Sequence, residues 1–187
     1  MEHSIEERAR GRKRENRIPQ PAPPESEGYT ADGYIRDQDC FWALTYRTIP
    51  ASFNCCGCVA VYNLRHYRGQ EAGFPELVKE MDGMHLLRVP GPTRMYVMRA
   101  CLNKYLPGWR EMTGRTRCLA AAEDSDMGIF RYSEENIPHF VAYIRAGDGA
   151  FRFFNINDNS EDIIYTMDQF AAKHCVCEPV RLICWEK

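Results

Sequence analysis

The segment FNCCGCVAVYN, Phe53 to Asn63, sets Cys55, Cys56 and Cys58 within four positions and runs directly into residues at helical spacing. Such a cluster has three chemical uses: metal ligation, packing as small buried hydrophobes, or nucleophilic attack. Zinc sites built from cysteine usually recruit two chelating pairs with two to four residues between the members. Cys56-Gly57-Cys58 and Cys175-Val176-Cys177 are closer than that, and joining them through His174 would bring together two segments far apart in sequence. Neither a metal nor a cofactor is expected.

Nucleophilic attack asks for a cysteine at a helix N-terminus, where unpaired backbone N–H groups and the helix dipole favour the thiolate. Cys56 is placed for this, because Gly57 gives backbone freedom for a tight turn into the apolar helix that follows. Attack on a carbonyl creates an oxyanion that needs pre-positioned donors. The backbone N–H of Cys56 is one, and Asn54, two residues upstream, is the side-chain candidate.

A thiolate nucleophile also needs a base, and the chain has five histidines. His3 sits in a charged tail, and His66 lies ten residues along the helix from Cys56, about 15 Å by the helical rise. His85 and His174 fall in or beside expected loops without an evident orienting partner. His139 stands at the head of a strand behind Pro138 and is the candidate by elimination. In the hairpin expected for HFVAYIRAGDGAFRFFNI, an odd-length turn around Gly147 to Gly149 sets Asn155 or Asn157 opposite His139 on one face. Either amide could fix the imidazole tautomer through Nδ1, and the Asp158 carboxylate competes for that place.

The elements that must carry these groups follow from pattern. CVAVYNLRHYRG reads as a helix stopped near Gly69, GFPELVKEMDG as a second with proline in its first turn, and PTRMYVMRACLNKYL as a third ended by Pro107. The second half turns to β-branched and aromatic runs around Gly-Asp-Gly, then a helix over TMDQFAAKH and a last strand over PVRLICWEK. Helices first and antiparallel strands second predict an α+β protein of two facing subdomains. The segments RVPGPT and AAAEDSDMGIFRYSEEN read as loops that would wall a cleft.

Residues 1–28 are crowded with charge and then proline, so a disordered arm is expected there and a single folded domain over 29–187. The basic RARGRKR within the arm is flanked by Glu2, Glu6, Glu7 and Glu15 and reads as solvated tail. With 24 basic and 26 acidic side chains, a net charge of −2 supplies no overall field toward nucleic acid or an anionic membrane. No run approaches the roughly 18 apolar residues of a membrane span, no secretory segment opens the chain, and nine scattered cysteines suit a reducing compartment. A cytoplasmic protein with no nucleic-acid or membrane partner is expected.

Cys56-Gly57-Cys58-Val59-Ala60-Val61-Tyr62-Asn63 resembles the nucleophile helix of bacterial papain-like cysteine peptidases of the C39 type, which reads Cys-Gly-x-x-Ala-x-x-Asn. HFVAYIRAGDGAFRFFNIND is similar to their histidine hairpin, and GPTRMYVMRACLNKYL to their intervening helix, so the likeness spans roughly residues 45 to 185. The resemblance implies a papain-like fold, a peptide or protein substrate, and a Cys56, His139, Asn155 triad, Asn155 falling where the orienting residue stands. Two positions depart from the pattern. No glutamine precedes the nucleophile in YRTIPASFNCC, which leaves Asn54 or Ser52 as oxyanion donors and Gln38 as the upstream glutamine. Cys58 replaces the usual proline and is a candidate resolving thiol. The function expected is a cysteine hydrolase, most simply a peptidase. A transglutaminase-like or other acyltransferase and a non-catalytic module of the same fold are the alternatives.

Overall fold

The computed structural model describes residues 25–70, 73–87, 89–134, 137–156, 163–175 and 180–186. Asn157, Asp158, Cys177 and the arm up to residue 24 lie outside the described residues. Glu25–Gly28 form a 3-10 turn, and Gly28 lies against Cys40 and Phe41.

The helices of the first half form where apolar spacing places them. A short turn α1 (Ala51–Asn54) leads into α2 (Cys56–Tyr67), after which Gly69 takes a left-handed φ of 67° and ends the run. The helix α3 (Phe74–Gly83) carries proline in its first turn and buries Phe74, Leu77, Val78 and Met81. Next, α4 (Met95–Tyr105) buries Val97, Met98, Cys101 and Leu102. Two-residue strands β1 (Thr45–Tyr46) and β2 (Ile49–Pro50) close a small hairpin just before α1.

The second half builds a six-stranded sheet from β3 (Trp109–Thr113), β4 (Ser125–Glu134), β5 (Ile137–Gly147), β6 (Ala150–Phe154), β7 (Ile163–Tyr165) and β8 (Arg181–Glu186). Its order is β3-β8-β4-β5-β6-β7, antiparallel at every pairing. Two more helices belong to it, α5 (Arg115–Glu123) and α6 (Met167–His174). Thr166 caps α6 and Gln169 returns the bond, a reciprocal box that satisfies two otherwise orphaned N–H groups.

Alternation on β5 sorts the core into two layers. Phe140, Ala142 and Ile144 join the cluster with α2, α3 and α4, while Val141 and Tyr143 join the one with α5 and α6. The architecture is α+β as expected, with the early helices packed on one face of the antiparallel sheet, and α5 and α6 cover the other face. AAAEDSDMGIFRYSEEN is no cleft loop: it forms the end of α5 and the central strand β4. Met127 and Ile129 go to one core and Phe130 and Tyr132 to the other, so the strand shows no polar alternation. Among the described residues no helix is long and apolar enough to cross a membrane.

Candidate active site

The site forms where β6 leaves the sheet. Its pairing with β5 ends at Ala142↔Phe154, and Asn155 then adopts φ 61°, a left-handed conformation that asparagine tolerates better than most residues. The stretch of β5 before Ala142 thus keeps β4 on one side and has no β6 rung on the other. The first turn of α2, which packs on β5, comes to this gap.

Cys56 is the first residue of α2 and is 4% exposed. Burial pushes its thiol up, but the His139 ring hydrogen-bonds it, the His139 charge attracts the thiolate, and the N–H groups of Phe140 and Gly57 donate to the sulfur. Together these outweigh burial and hold the thiol below its ordinary value. Cys55 and Cys58, both wholly buried, are pushed well above the ordinary value because their burial is not offset in this way. All eight described cysteines are free thiols.

His139 Nε2 lies 2.7 Å from the backbone oxygen of Asn155. A carbonyl can only accept, so Nε2 carries the proton, and in the neutral ring the lone pair is on Nδ1. The resemblance implies Asn155 as orienting residue, and the contact expected is its side-chain amide on Nδ1. In the structure the chain turns out of β6 at Asn155, and it is the backbone carbonyl of this residue, not its amide, that meets the ring, at Nε2 and not Nδ1. The amide faces the other way: Oδ1 accepts from Gln38 N at 3.1 Å and Nδ2 donates to Gln38 Oε1 at 2.9 Å. Gln38 Nε2 donates in turn to Ser52 O at 2.9 Å.

Asn54 is spent elsewhere. It is buried, and its Nδ2 donates to Tyr46 O and Gly91 O, both at 3.0 Å, which uses both amide protons and leaves none for an oxyanion. It holds the β1–β2 hairpin and the 91–93 loop against the turn before Cys56. Gly57 also serves differently from expectation: a Cβ there would stand 2.6 Å from Thr93 Cβ, so the glycine provides room for that loop across α2.

The other three described histidines have structural partners. His85 Nε2 lies 2.7 Å from Tyr46 Oη, which sits 3.0 Å from Thr93 Oγ1, a buried network the sequence did not suggest. His66 Nε2 contacts Asp32 O at 2.7 Å. His174 packs among Tyr132, Tyr165 and Phe170. Asn63, part of the sequence motif, pairs with both the N–H and the carbonyl of Ile35 and pins the lead-in segment to α2. Cys55 and Cys58 do stand at chelate spacing, yet no cluster of three or more His, Cys, Asp or Glu among the described residues is placed to hold a metal ion.

Sequence reasoning named Gln38 only as an upstream glutamine; its link to Asn155 joins residues 117 positions apart and leaves no local pattern. The Phe140 N–H, as a backbone group, has no sequence signal at all.

No family model and no curated protein matches the chain. Among solved structures it is similar to the peptidase domain of Streptococcus ComA, a bi-functional ABC transporter involved in a quorum-sensing pathway. The two share 9% identity and a TM-score of 0.45, over 70% of this chain and 91% of that one. At that distance the likeness bears on neither fold detail nor function.

Proposed function

We propose that the protein is a cysteine hydrolase of papain-like type acting on a peptide or isopeptide bond. The observation that carries this reading is the Cys56–His139 pair: one thiol of a buried cluster is held acidic by an imidazole whose outer nitrogen is fixed by a carbonyl. His139 Nδ1 takes the Cys56 proton, and the thiolate attacks the substrate carbonyl carbon. The oxyanion is met by backbone N–H groups at the start of α2. Collapse breaks the C–N bond, His139 returns the proton to the leaving amine, and an acyl-thioester remains. Water, deprotonated by His139, attacks that ester; the thiolate leaves and is reprotonated.

A non-catalytic module of the same fold is the second reading, favoured by the engagement of both Asn54 amide protons. Turnover of a set of fluorogenic peptide amides separates the two. The hydrolase reading expects turnover that Cys56→Ala and His139→Ala abolish and Cys58→Ala retains. Turnover unaffected by Cys56→Ala would overturn it, and no turnover despite a reactive Cys56 would favour the module.

A further inference from the structure

Gln38 stands outside the Cys56–His139 pair and yet contacts both segments that build it. Its backbone N–H and side-chain oxygen grip the two ends of the Asn155 amide, and its own Nε2 is tied to Ser52 O in the turn that leads to Cys56. Each polar atom of the two side chains has a partner of the complementary kind, so the clamp has one arrangement rather than several. Asn155 needs such a clamp. It holds a left-handed φ of 61° just past the last β5–β6 rung, where no ladder bond fixes the direction of its carbonyl. That carbonyl is the group that sets the His139 tautomer.

We propose that Gln38 is a positioning residue for the Cys56–His139 pair, aiming the Asn155 carbonyl at His139 Nε2 and coupling that aim to the turn before Cys56. It acts through Asn155, to which, with Ser52, its hydrogen bonds go. The inference rests on the hydrolase reading for its purpose, but the juxtaposition of Gln38, Asn155 and Ser52 is independent of any substrate.

The test follows the alkylation of Cys56 by iodoacetamide against pH, which needs no substrate, in the full chain. Gln38→Ala keeps the backbone bond to Asn155 and loses both side-chain bonds, so the pH midpoint is expected to rise by about half a unit to one unit, up to a tenfold loss of thiolate below the midpoint. Gln38→Met keeps the bulk without the polar atoms and should behave like the alanine variant; a wild-type midpoint in Gln38→Met would overturn the proposal. In an Asn155→Gly background, which keeps the carbonyl and permits the left-handed φ, Gln38→Ala should add less than about a twofold change. Full additivity would also overturn the proposal, since Gln38 would then act by another route. His139→Ala is the reference. If it shifts the midpoint and Gln38→Ala does not, the positioning role alone fails; if it shifts nothing, the Cys–His reading fails and the inference with it.

Discussion

Two cysteines in the first turn of α2, Cys56 and Cys58, each lie near a buried hydrogen-bonding histidine network, and their chemistry diverges. On the sheet side, His139 bonds Cys56 directly and is fixed from behind by the Asn155 carbonyl. On the helical side, Cys58 meets the Tyr46 hydroxyl, and His85 stands one step further back. Burial together with the nearby Arg47 charge pushes His85 down, toward its neutral form. Both thiols share the helix dipole and both are buried. The dipole therefore does not tell the two thiols apart; the His139 ring beside Cys56 and the Tyr46 hydroxyl beside Cys58 do.

The largest break in this comparison should come from the histidines. His139→Ala is expected to cut the rate of Cys56 alkylation near pH 6.5 by about 10²-fold, while His85→Ala leaves it within about threefold. Equal losses, measured by mass mapping of the modified peptide, would show that the two sides do not differ as described.

Next in size are changes on the Cys58 side that act on stability alone. Gly57→Ala would favour helix by propensity, but the methyl would meet Thr93, and a loss of about 1–3 kcal/mol in denaturant unfolding is expected. A gain in stability would show that the Thr93 loop yields to the methyl and that neither room nor backbone freedom is needed at Gly57. Tyr46→Phe strips the hydroxyl from His85 and Thr93 and should cost about 1–2 kcal/mol. His85 also gives this side a pH signature. Its folded pKa lies below the unfolded one, so as pH falls through about 6.5 the unfolded state takes up the proton first and stability is lost. His85→Gln should flatten that acid loss in melts between pH 7 and 5; an unchanged slope would place its origin elsewhere.

Smaller still is the contrast between two substitutions of Asn155. Asn155→Gly retains the carbonyl at His139 and should keep Cys56 reactivity within about tenfold, whereas Asn155→Ala adds left-handed strain of about 1 kcal/mol. If glycine abolishes reactivity as fully as His139→Ala, the side chain rather than the carbonyl is what His139 needs. The smallest effect expected is that of Asp32→Asn. Arg152 holds the Asp32 carboxyl down to about 2, but the pair is solvent-screened, so a change under about 1 kcal/mol and an unmoved Cys56 midpoint should follow.

The three early helices, the hairpin and α6 are legible because each has its apolar period and its own punctuation: Pro75 and Gly69 for helices, Asp148-Gly149 for the turn, Thr166 and Gln169 for the cap. The central strand β4 was not, because a strand buried on both faces loses the alternation that marks a strand, and acidic residues on its flanks mimic a loop. At the site, order and spacing point to Cys56 and His139 but leave Asn155, Asn157 and Asp158 open, and only the family resemblance favours Asn155. The atoms in contact are not legible there: that the Asn155 carbonyl, and not its amide, meets His139 Nε2 depends on the chain leaving β6 at a left-handed residue. Asn54 misleads for the opposite reason, since its place next to the cluster says nothing of the Tyr46 and Gly91 carbonyls that take its protons.

The most direct test is the pH dependence of iodoacetamide alkylation resolved for Cys55, Cys56 and Cys58 in one sample of the folded protein. Cys56 should react with a midpoint below the ordinary thiol value of about 8.5, while Cys55 and Cys58 stay unmodified until the chain is unfolded. Alkylation of all three cysteines with a common midpoint, or a Cys56 midpoint at or above the ordinary value, would contradict the assignment of Cys56 as the activated thiol.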